Sequence, residues 1–98
     1  MRFQGALIKE QSVTFGVVAV KPHVLHNDAE AESMRHFGTQ VFGLVPIILM
    51  AQNSRGVPAY SGRRDIVKFL ARVPLRAIPS REYTVSRGTA YDIKKYSI

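Results

Sequence analysis

The sequence predicts an α/β fold of the α+β kind: a single domain with a mixed sheet of about five strands and two helices, in the order β-β-α-β-β-α-β. Three observations predict it. Two apolar runs of strand length, Val13–Val20 and Val45–Gln52, bracket a segment that opens with helix-capping residues. Short polar breaks at Glu10–Ser12 and Asn53–Gly56 join each run to a second strand. Ile66, Phe69, Leu70 and Val73 then recur at the i, i+3, i+4, i+7 spacing of one helix face.

Taken in order, Phe3–Lys9 reads as a strand with Gly5 as its weak point. Val13–Val20 is β-branched and apolar on both alternating faces, as in a central strand covered on both sides, and Pro22 ends it. Asn27 is the N-cap of a helix over about Asp28–Phe37. Glu30 completes a capping box, and Gly38 is the expected terminator. The apolar face of this helix is thin, so it should lie on the surface. Val45–Gln52 is the second central strand, and Asn53–Gly56 turns the chain into a short edge strand, Val57–Tyr60, carrying Pro58. Ser61 or Gly62 caps the second helix, and Pro74 stops it. A last strand is expected at about Glu82–Ser86. The domain would span residues 1–86, followed by a basic, flexible tail over 87–98. Strand–helix–strand connectivity over 13–52 implies a parallel pair, and the hairpins add antiparallel neighbours. Two helices for five strands suggest that one sheet face stays bare or is covered by a second copy, which makes a homodimer the expected assembly.

Composition narrows the function classes. Hydrophobic residues make up 46% of the 98, enough for a folded domain. The absence of cysteine excludes disulfides, thiolate metal sites and thiol nucleophiles. No apolar run reaches the length of a membrane span, and the N-terminus lacks a signal-peptide pattern, so a soluble, cytoplasmic, bacterial protein without membrane contact is expected. The net charge of +7 is uneven. Residues 1–60 hold five cations against four anions, whereas residues 61–98 hold nine against three. A basic surface of this kind favours nucleic acid or an acidic protein as partner.

The candidate site follows from that asymmetry. Arg64, Lys68 and Arg72 recur every four residues and form a stripe opposite the apolar face, with Arg63 and Arg76 extending it. Arg81 and Arg87 lie further along the same third of the chain, and Tyr60, Tyr83 and Tyr91 are the nearby aromatics for base stacking. His23, His26 and Asp28 form a candidate metal set, since imidazole and carboxylate suit zinc or nickel. His36 follows Glu32 by one helical turn. The carboxylates Asp28, Glu30 and Glu32 are explained by the helix dipole alone. No nucleophile elbow, Walker loop or dinucleotide fingerprint occurs, so no catalytic residue and no cofactor is assigned.

Val45-Pro46-Ile47, the tight turn at Asn53–Gly56, the returning strand, Gly62 and the second helix resemble the C-terminal half of thioredoxin-like domains. Thioredoxin chemistry is excluded, because the chain has no Cys-x-x-Cys. Residues 1–86, with the stretches FQGALIKEQ and DIVKFLARVPL, also resemble small bacterial proteins of unknown function, which implies a stand-alone domain and transfers no site residue. The expectation is a non-enzymatic, self-associating domain that binds a partner. One alternative is nucleic-acid or polyanion binding through residues 63–76. The other is a small enzyme or ligand-binding domain with its pocket at a dimer interface.

Overall fold

Strand β1 (Arg2–Glu10) and strand β2 (Val13–Ala19) form the expected hairpin in the computed structural model, which describes residues 2–10, 12–86 and 89–92. After β2 a 3-10 turn over Pro22–His26 leads into helix α1 (Asp28–Phe42). Strand β3 (Ile47–Gln52) then lies parallel to β2, and strand β4 (Pro58–Ser61) folds back on β3. Helix α2 (Arg64–Leu70), a 3-10 turn over Leu75–Ala77 and strand β5 (Arg81–Ser86) follow, and β5 pairs with β1. A sixth strand, β6 (Thr89–Asp92), pairs with β5 inside the stretch expected as a tail; residues 87, 88 and 93–98 of that stretch lie outside the described residues. The sheet order is β4-β3-β2-β1-β5-β6. A mixed sheet with two helices is therefore the architecture, with one strand more than predicted.

The helices divide between the two sheet faces, which corrects the expectation of a bare face. The residues of β2 and β3 alternate between two cores. Val18, Ile47 and Leu49 pack with Phe3, Val24, Ala31 and Tyr83 under α1. Phe15, Val17, Ile48 and Met50 pack with Ile66, Leu70 and Ile78 under α2 and the turn after it. Each face thus has its own buried layer, as the two-sided apolar pattern of Val13–Val20 requires.

Helix α1 runs to Phe42, past the predicted stop at Gly38. Gly38 is buried in its interior, where a Cβ would sit 2.9 Å from Ile47 Cγ2 and 3.0 Å from Val18 Cγ2. The glycine lets the helix approach the sheet closely; it does not end it. Termination falls to Gly43 at φ +89, whose N–H donates to Thr39 O. The extra turn carries Phe42 over two more glycines. A Cβ on Gly16 would lie 2.5 Å from Phe42 Cδ2, and one on Gly5 would lie 3.2 Å from Phe42 Cζ. The ring there meets Tyr83 edge-on at 5.0 Å between centroids and Phe3 at 6.5 Å. Gly5, read as a weak point of the strand, is part of a seat for this ring.

Candidate binding surface beside the second helix

Helix α2 is short because its polar ends are only partly answered. Its N-cap is Arg63, which makes no side-chain capping bond, so neither Ser61 nor Gly62 caps it. The α-helix ends at Leu70, before Pro74. Beyond it the Arg72 and Val73 N–H groups donate to the carbonyls of Phe69 and Leu70 in a tighter, 3-10-like turn. What holds the segment is burial: Ile66 and Leu70 enter the core, and Phe69 meets Phe15 edge-on at 6.4 Å.

This shape alters the predicted cationic stripe. Arg64 and Lys68 stand on the helix, Arg72 in the tightened turn and Arg76 in the 3-10 turn over Leu75–Ala77, so the i, i+4 row stops at Lys68. All four are exposed, and among the described residues no ion pair engages any of them. Arg63 is different. Its Nε and Nη2 donate to the two Asp65 carboxylate oxygens at 2.8 and 2.9 Å. That hydrogen-bonded fork, helped by charge attraction, holds the Asp65 carboxyl down at about 2. Arg63 thus belongs to a local pair and leaves the free patch.

The aromatic candidates for base stacking turn inward. Tyr83 is buried on the α1 face and stacks on Phe3 at 5.6 Å. The Tyr60 hydroxyl is buried, and burial raises its pKa. The side chain of Tyr91 lies outside the described residues.

The histidine set does not assemble. His23 Nε2 lies 3.1 Å from Glu30 Oε2, not against Asp28, and among the described residues no three His, Asp or Glu side chains group as metal ligands. The Glu30 N–H donates to Asn27 Oδ1 at 3.0 Å, so Asn27 is the N-cap as expected, but the expected box is not closed, because the Asn27 N–H donates to Val24 O instead of the Glu30 side chain. Glu32 accepts from Arg35 at 3.1 Å, and His36 pairs with Gln40 instead. Glu30 and Glu32 therefore face separate partners rather than one cleft. Asn53–Gly56 is a plain hairpin turn: Asn53 Oδ1 accepts from the Arg55 and Val57 N–H groups, and Gly56 adopts φ +78.

Sequence reasoning missed a groove of about 290 Å³ between β1 and the α2 segment. Leu7, Ile8, Phe69, Val73, Ile78 and Pro79 form most of its surface. The exposure of Leu7 was its only available signal, and that depends on where β5 stops. An open depression at Arg2, Gln4, Ala19 and Glu82 marks the part of the same face that α2 leaves uncovered. Among the described residues no helix is long and apolar enough to cross a membrane.

No family model, curated protein or solved structure matches the chain. The strand–turn–strand–helix run behind the thioredoxin-like resemblance is present as β3, β4 and α2, and the resemblance extends no further.

Proposed function

We propose that the protein is a binding module whose contact surface is the α2 segment and whose partner is acidic. The observation that carries this reading is the contrast among its cations. Arg2, Arg35 and Arg63 each lie against a carboxylate, and the exposed Lys9, Lys21 and Arg55 stand apart along the chain, whereas Arg64, Lys68, Arg72 and Arg76 are exposed, unengaged by any ion pair among the described residues and gathered on one segment. Unneutralised charge concentrated on one segment draws an oppositely charged surface by long-range attraction. Fluorescence anisotropy with labelled poly-L-glutamate tests it. Binding should weaken steeply with added salt. It should fall roughly tenfold or more in Lys68→Glu/Arg72→Glu/Arg76→Glu, since opposed like charges replace attraction. The unfolding midpoint should barely move, because all three side chains are exposed. Binding indifferent to both salt and charge reversal would sink the reading.

Self-association is the second reading. It rests on the exposed Leu7 beside a partly unpaired strand edge. Sedimentation equilibrium across micromolar concentrations separates a dimer from a monomer.

A further inference from the structure

Among the described residues, the outer edge of β1 is paired along only half its length. β5 covers Arg2–Gly5, and before Arg81 the chain departs through Pro79 toward the 3-10 turn. β1 itself continues to Glu10 against β2. The register fixes where its remaining backbone groups point. The Gly16 and Val20 N–H groups donate to Pro46 O and Met50 O, so even residues of β2 face β3 and odd ones face β1. Val17 and Phe15 stand opposite Ala6 and Ile8. The even residues of β1 therefore bond to β2, and the N–H and C=O groups of Leu7 and Lys9 point over the free edge. An edge of this kind accepts an added strand.

The apolar groove described above runs beside that edge on the α2 face. Ile8 lies in it, and the side chain of an added strand opposite Ile8 falls into it as well. Residues opposite Leu7 and Lys9 point to the other face, where an acid meets the Lys9 ammonium as a cross-strand pair. Lys9 lines the groove, and Lys68, Arg72 and Arg76 are exposed chain neighbours of its lining residues Phe69, Val73 and Ala77, so positive charge gathers near its rim. Glu10 is the acid on its wall.

These features select the occupant. A second copy would bring the same cations against this rim. A nucleic acid offers phosphates but no strand ladder for Leu7 and Lys9, and Tyr60 and Tyr83 are turned away from stacking. An extended peptide in which acidic and apolar residues alternate answers the edge, the groove and the charge together.

We propose that the domain binds an extended acidic–apolar peptide segment as an added strand on β1 at Leu7–Lys9, with apolar side chains in the adjoining groove. This rests on the acidic-partner reading and names the partner's form. The test uses a labelled alternating Glu–Val octapeptide, two versions of it N-methylated on the Glu or on the Val nitrogens, and labelled oligo-dT. The parent peptide binds, and the Leu7 and Lys9 amides exchange more slowly in the complex. N-methylation of one alternate set of nitrogens weakens binding by roughly tenfold or more and that of the other by much less, the Glu set for an antiparallel added strand and the Val set for a parallel one, because only one row faces β1. Lys68→Glu/Arg72→Glu/Arg76→Glu also weakens it. Equal tolerance of both methylated peptides overturns strand addition while leaving the acidic-partner reading intact. Salt-sensitive binding of oligo-dT without the peptide does the same. Peptide binding that ignores charge reversal but tracks methylation supports the edge and overturns the acidic reading. A dimer that protects the Leu7 and Lys9 amides without peptide assigns the edge to a second copy and overturns the proposal.

Discussion

On one face of the sheet, α1 runs for 15 residues from the Asn27 side-chain cap to Gly43. Arg35 ties it to Ser61 Oγ on β4 at 2.9 Å, and Phe42 sits in its glycine seat. On the other face, α2 runs for 7 residues, has no side-chain cap, and is followed by two turns that leave a groove open against β1. Both faces bury apolar side chains, yet among the described residues only the first adds a side-chain cap and a side-chain tether to its helix. Local stability should differ accordingly: α1 is held at its start, at its Arg35 tether and at Phe42, and α2 mainly by Ile66, Leu70 and Phe69. A face with fewer internal partners has more polar and apolar groups left for an external one.

The largest effect that can break this comparison lies in the glycine seat. Gly16→Ala puts a methyl into Phe42, and overpacking of this kind costs about 1–3 kcal/mol in urea denaturation. Phe42→Ala costs less than the roughly 3–5 kcal/mol of a fully buried ring, since Phe42 is half-buried. The double variant should be clearly less destabilised than the sum, with a coupling of about 0.5–3 kcal/mol. Strict additivity would show that Phe42 and Gly16 are not one packing unit.

The two helix starts give a smaller effect and a sharper contrast. Asn27→Ala removes an observed capping bond and should cost about 1 kcal/mol. Arg63→Ala removes no cap and an exposed pair, and should stay within about 0.5 kcal/mol. Equal losses would contradict the unlike construction of the two helices.

The smallest effect is a titration. The Asp65 carboxyl sits at about 2, below its usual 3.8, so its folded-state contribution is present above the higher value and fades as pH falls through the lower. Both partners are exposed, so unfolding should shift little. The carboxyl carbon resonance of Asp65 should titrate near 2 in the parent chain and move upward in Arg63→Gln. A midpoint unchanged by the substitution would remove the fork as its cause.

The sequence by itself determined the elements whose signals are local. The Asn27 cap, the Asn53–Gly56 turn, the two-sided apolar strand Val13–Val20 and the spacing of Ile66, Phe69 and Leu70 depend on neighbours within a few residues, and each stands where its pattern places it. The exposure of Arg64 and Lys68 followed from the same periodicity. Only the tertiary structure decided the rest, because it depends on residues far apart in the chain. Gly38 reads as a helix stop until Ile47 and Val18 are seen against it, and Gly5 reads as a weak point until Phe42 arrives over it. Arg63 and Asp65 were close enough in sequence to pair, but their geometry decided that they do. The free edge at Leu7–Lys9 exists because β5 leaves β1 after Gly5 and the chain returns through Ile78 to line the groove, a meeting of segments about seventy residues apart that no local pattern encodes.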